Sequence, residues 1–165
     1  MQEINSMYYP SDKKYCYSLI HTQLKSILEN EPYVIPNLSN TSALLNWVGF
    51  YLIHNEELLL GPFQGKIACV HIAIGKGVCG TAVLKDETQL VSDVYKFPGH
   101  IACDSASKSE IVVPIHGNGG IVGVLDIDSP IIGRFDEVDK EGLEEVVRIL
   151  ETSCNWKDSI LYSLK

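Results

Sequence analysis

The sequence predicts an α+β domain: one mainly antiparallel sheet with the N- and C-terminal helices packed on one face. Three observations carry this. Apolar residues recur at helical spacing at both ends of the chain. Between them lie runs rich in β-branched residues, separated by glycine- and asparagine-bearing turns. The chain has 165 residues, 45% of them hydrophobic, which suits a single domain spanning 1–165 with a sizeable core.

Taken in order, Ser11 or Asp12 can cap a first helix in which Tyr15, Leu19, Ile20, Leu24, Ile27 and Leu28 form an apolar stripe. Glu31-Pro32 ends it, because a residue before proline is pushed out of the helical region. Asn37 to Ser42 reads as a polar connection leading to Trp47. Trp47 to Ile53 is strand-like, His54 to Glu57 a hairpin loop, and Leu58 to Leu60 the start of the return strand. Ile67 to Ile74 reads as a third strand. Gly75-Lys76-Gly77-Val78-Cys79-Gly80 then opens a short helix through Ala82 and Leu84. Leu90-Val91 is a short strand, and Tyr95 to Ser109 has the composition of a long loop. Ile111 to Ile115 and Ile121 to Ile127 form a second hairpin across Gly117-Asn118-Gly119-Gly120. Asp136 starts the last helix, with Val138, Leu143, Val146, Val147, Ile149 and Leu150 on its apolar side.

Charge narrows the partners. Thirteen basic and 21 acidic residues give a net charge of −8, and no basic cluster exceeds Lys13-Lys14, so a phosphate backbone or an anionic membrane surface would be repelled. Mean hydropathy is +0.07, and no apolar window approaches a membrane span. The first residues carry no basic-then-apolar leader, which predicts a cytoplasmic protein. Five cysteines in that compartment are expected to be packing, metal-binding or redox-active thiols rather than a disulfide framework.

Cys69, Cys79 and Cys103 lie ten and 24 residues apart, too far for the short cysteine pairs of structural zinc sites, so no metal is expected. Cys69 sits in an apolar run and reads equally well as a core residue. Cys79 starts a short helix, where the backbone dipole favours a thiolate. Cys103 lies in a long loop, three residues after His100 and beside Asp104; loops of this length are usually functional. Asp126 and Asp128 alternate on one strand and so share a face. With Glu110 they form a candidate acid cluster whose members raise one another's pKa, leaving one able to donate a proton.

The runs Trp47-Val48-Gly49-Phe50-Tyr51, Leu60 to Cys69, Gly75 to Gly80, Phe97 to Asp104, Ser109 to Pro114 and Gly123 to Ser129 together resemble the free methionine-(R)-sulfoxide reductases, which are single-domain GAF proteins. The resemblance implies a GAF-like fold with loops closing a pocket on the sheet face away from the terminal helices. It implies reduction of free L-methionine (R)-sulfoxide, with Cys103 attacking the sulfoxide sulfur and Glu110, Asp126 and Asp128 supplying the proton and holding the substrate ammonium. Trp47 and Tyr51 would wall the S-methyl group, and the backbone at Ile101 and Ala102 would face the carboxylate. By the same likeness Cys69 resolves the sulfenic acid as a Cys69–Cys103 disulfide that thioredoxin reduces, with no cofactor. Cys79 remains an alternative nucleophile. Cys16 and Cys154 fall outside the motifs and read as packing residues. Related domains often pair through helices, which leaves room for a homodimer. A ligand-sensing GAF module and a redox sensor are the other classes these features allow.

Overall fold

Alternation along two long hairpins sorts the side chains of this protein onto two faces of one sheet. The computed structural model describes residues 10–45, 48–101, 105–117 and 119–158. Its elements run α1 (Lys13–Ile27), α2 (Val34–Leu45), β1 (Val48–His54), β2 (Glu57–Gln64), β3 (His71–Ala73), α3 (Gly77–Lys85), β4 (Gln89–Val91), β5 (Ser109–Gly117), β6 (Gly120–Ser129) and α4 (Glu137–Ser153). Among the described residues six strands form one sheet in the order β3-β2-β1-β6-β5-β4, with antiparallel pairing throughout. This is the α+β architecture expected. The β1–β2 hairpin turns through Asn55 and Glu56 at φ 49° and 65°, the left-handed pair that matches the twist of its strands.

Val48, Phe50 and Leu52 of β1, Ile111, Val113 and Ile115 of β5, and Leu125 of β6 pack with Leu24, Leu38, Leu143 and Leu150 of α1, α2 and α4. Fully burying a leucine is worth about 1.5–3 kcal/mol, so this face holds most of the core. The opposite face carries Tyr51, Val112 and Val124, covered by Val78, Cys79 and Ala82 of α3. Alternation slips once. The β5–β6 pairing shifts between Ile115 and His116, and Val122 enters the helix-side core while Ile121 stays with the other face.

Three expectations need correction. The polar stretch Asn37 to Ser42 is the middle of α2, not a connection. Thr41 Oγ1 donates to the Asn37 carbonyl at 2.7 Å and Ser42 Oγ to the Leu38 carbonyl at 2.9 Å, so small polar side chains are buried without orphaned hydroxyls. The third strand is only His71–Ala73; Ile67 is 90% exposed. The Tyr95 to Ser109 segment opens with a 3₁₀ turn at Val94–Lys96. At the first helix Asp12 is the cap, accepting from the Tyr15 N–H at 2.7 Å.

Candidate active site

Strand register builds the acid cluster. Glu110 pairs with Asp128 and Val112 with Asp126 across the β5–β6 ladder, which sets all three carboxyl groups on the face away from the main helix layer. The first turn of α3 lies over them. A Cβ at Gly80 would collide with the Ala73 carbonyl, so glycine there lets α3 close onto the end of β3. Cys79 then points into the cluster, its Sγ 3.9 Å from Glu110 Oε1. His100 brings Nε2 to 3.8 Å from Glu110 Oε2, and the buried Ser107 hydroxyl donates to Asp128 Oδ1. These groups, with Tyr51, Ile72, Val78 and Ile101, line a cavity of ≈ 370 Å³ counted with its open mouth.

Burial dominates the electrostatics. Glu110 and Asp126 are both held well above the ordinary carboxylate range, first by desolvation and then by neighbouring carboxylates: Asp126 and Asp128 for Glu110, Asp128 for Asp126. Asp126 Oδ1 is buried without a hydrogen-bond partner among the described residues. The Cys79 thiol is pushed up by burial, then by Asp126 and Glu110. That corrects the expectation of a thiolate favoured by the helix start. Burial likewise keeps the Tyr51 hydroxyl protonated, and it donates to the Cys69 carbonyl at 3.0 Å.

Cys79, Glu110, Asp126, Asp128, Tyr51 and Ile101 thus meet at one cavity. Ile101 is 40% exposed at its mouth and lies against Gly77. Cys69 is half-buried, precedes β3 rather than lying within it, and is disulfide-bonded. Cys16, Cys79 and Cys154 are free thiols. Cys16 and Cys154 pack at the helix-side core. Trp47, Ala102 and Cys103 lie outside the described residues.

The GAF domain family model matches residues 33–153. The free methionine-R-sulfoxide reductase of Escherichia coli (strain K12) is 49% identical over 142 residues, covering 82% of this chain and 86% of the relative. The chain belongs to the GAF-domain family of free methionine-R-sulfoxide reductases. Solved structures of that reductase family superpose closely. The free methionine-R-sulfoxide reductase of Neisseria meningitidis in complex with its substrate is similar at a TM-score of 0.86 and 44% identity, covering 89% of this chain and 93% of the other. The fRMsr of Staphylococcus aureus in its reduced form has a TM-score of 0.81 and 59% identity, covering 83% and 94%.

Two groups of this reductase-family cavity escaped the sequence reading. His100 is visible there only as a neighbour of Cys103; its approach to Glu110 depends on how the loop returns to β5. Ser107 carries no signal in a loop of serines and lysines, yet it is 4% exposed and anchors Asp128. The Tyr51 hydroxyl is a further anchor, on the Cys69 carbonyl, beyond the wall its ring provides.

Proposed function

We propose that the protein reduces free methionine (R)-sulfoxide to methionine, using thiols as the source of two electrons. The single observation that carries this reading is one cavity in which Glu110 and Asp126, buried and held protonated beside Asp128, lie with the Cys79 thiol, His100 and Ile101; Ile101 stands two positions before Cys103 in the sequence. Reduction of a sulfoxide by a thiol needs both: a sulfur nucleophile for the substrate sulfur and an acid for the departing oxygen.

In the reaction, the Cys103 thiolate attacks the sulfoxide sulfur, and Glu110 or Asp126 protonates the sulfoxide oxygen. That oxygen passes to Cys103 as the substrate sulfur leaves as methionine, so the substrate gains two electrons and Cys103 becomes a sulfenic acid. The Cys69 thiol then displaces water from the sulfenic sulfur and forms the Cys69–Cys103 disulfide. Supporting that pairing, Cys69 is oxidised while Cys16, Cys79 and Cys154 are free. Thioredoxin, as the dithiol partner, returns two electrons by thiol–disulfide exchange; Ile67 and Val70, 90% and 53% exposed, give Cys69 an apolar rim against which a reducing protein can sit. Cys79, held protonated among carboxylates, is poorly suited to be the attacking thiolate. Negative charge left on Asp128 or Asp126 can take the substrate ammonium, and Trp47 with the Tyr51 ring can wall the methyl group. The chain carries this out as one GAF domain.

The test is turnover of the two methionine sulfoxide epimers with dithiothreitol, read as free methionine. The expected result is turnover of the R epimer alone, no single-turnover burst from Cys103→Ser, and one methionine per chain without thioredoxin-dependent recycling from Cys69→Ser. A burst from Cys103→Ser overturns the nucleophile; binding of the R epimer with no turnover overturns the reading as a reductase.

A further inference from the structure

We infer that Cys79, Glu110 and Asp126 form a binding site for a thiophilic divalent cation of the Zn²⁺ class, which closes the acid cavity to other ligands while bound. One donor atom from each residue lies within 4.8 Å of the others, and the Cys79 Sγ to Glu110 Oε1 separation is 3.9 Å. A tetrahedral Zn²⁺ with Zn–S of about 2.3 Å and Zn–O of about 2.0–2.2 Å holds its ligands roughly 3.3–3.7 Å apart, so small side-chain movements complete the site. The three donors come from the first turn of α3, from β5 and from β6, elements fixed by the sheet. His100 Nε2 lies at the edge of this set, 3.8 Å from Glu110 Oε2, and the remaining coordination position is open to solvent water.

A second observation, beyond the clustering of donors, points to a ligand. Asp126 Oδ1 is buried with no hydrogen-bond partner among the described residues, although buried carboxyl oxygens are normally satisfied. The donor set also selects the ion. One soft sulfur with two carboxylates suits Zn²⁺, Co²⁺ or Cd²⁺, whereas Mg²⁺ and Ca²⁺ take oxygen ligands alone. The ion displaces the thiol proton and the cluster's protons to solvent, so its positive charge replaces theirs. Sequence spacing gave no hint because the ligands are 31 and 16 residues apart along the chain and meet only through the strand register.

The site is tested by titrating Cd²⁺ into the full chain, stripped of metal and kept with Cys69 oxidised so that its thiol does not compete. The expected result is one ion per chain with a sulfur-to-cadmium charge-transfer band in the near ultraviolet, displaced by Zn²⁺ and not by Mg²⁺. Cys79→Ser loses the band, and Asp126→Asn, which keeps the side-chain shape, weakens binding more than roughly tenfold. Zn²⁺ raises the Tm of the unmodified chain. A band that survives Cys79→Ser, unchanged affinity in Asp126→Asn, or no stoichiometric binding overturns the assignment. None of these readouts uses reductase turnover, so they stand or fall apart from it.

Discussion

At Cys79 two effects on one thiol oppose each other. The helix start favours a thiolate by about 0.3–1 kcal/mol, against about 1.36 kcal/mol for each tenfold change in ionisation. Complete burial among carboxylates acts the other way and prevails, and the thiol is held protonated. The position of Cys79 on a helix start is legible in the sequence; the acids facing it are not, since they arrive from other strands. Tyr51 is a related case. Its ring lines the cavity, while its hydroxyl donates to the Cys69 carbonyl at 3.0 Å, which under the proposed mechanism makes Tyr51 a positioning residue for Cys69 as well as a wall. Tyr51→Phe keeps the ring and removes the donor, at a stability cost of about 1–3 kcal/mol for the carbonyl left unpaired. The expected outcome in rapid-quench assays is an unchanged burst of methionine with a severalfold slower disulfide-forming step. Equal losses in both steps would assign Tyr51 to substrate binding alone.

The elements most faithfully legible are those whose signals are local. Asp136 caps α4 and exchanges hydrogen bonds with Asp139 in a capping box, and the two hairpins follow their turn residues. α2 was hidden because its buried stripe, Val34, Asn37, Leu38, Thr41 and Ser42, is written largely in polar letters. The spacing is helical, but reading it requires knowing that those hydroxyls bond back along their own helix and that Asn37 reaches the Glu31 carbonyl at 2.7 Å. β3 failed in the opposite way: Ile67 and Val70 look like core and are rim. Between elements, Asp139 ties α1 to α4. Its side chain is 1% exposed and takes Lys13, Tyr17 Oη at 3.1 Å and Arg134 Nη1 at 3.4 Å. Asp139→Ala leaves the Tyr17 hydroxyl without this acceptor and removes half the capping box, while Lys13 keeps Asp136 and Arg134 turns to solvent; the expected cost is about 1–3 kcal/mol. Urea denaturation measures this; a loss below 1 kcal/mol would show that the network is solvated in practice.

At the scale of the molecule the two sheet faces do different work. The helix-side face is apolar and stabilising, while the other gathers carboxyl groups that repel one another; the Asp126–Asp128 alternation is legible in one strand, and the β5–β6 register fixes Glu110 beside it. That division makes a pH dependence. Glu110 and Asp126 have folded-state pKa values raised well above their ordinary 4.5 and 3.8, so between those values and the raised ones the folded chain binds more protons than the unfolded chain. Stability therefore falls as pH rises through that window. His116, raised by hydrogen bonds to Asp86 and Glu151 despite partial burial, has the same sign above its ordinary 6.5: its contribution is full below that value and is lost as pH climbs through the raised one. The two sources separate by substitution. Asp126→Asn removes one repelling charge, and its Tm is expected to exceed that of the unsubstituted chain at pH 7 to 8, by about 2–4 °C for each kcal/mol of repulsion relieved. The difference should narrow as pH falls toward the ordinary values of 4.5 and 3.8, where the unfolded carboxyl groups also take up protons, and turnover of methionine (R)-sulfoxide should be lost. His116→Ala instead lowers Tm, most at pH 6, and leaves turnover intact. Melts recorded from pH 4 to 8 with chelator present, to keep divalent ions out of the cluster, decide the matter. An Asp126→Asn curve parallel to that of the unsubstituted chain would mean that the acids bear no standing repulsion and that their protons are not held for chemistry.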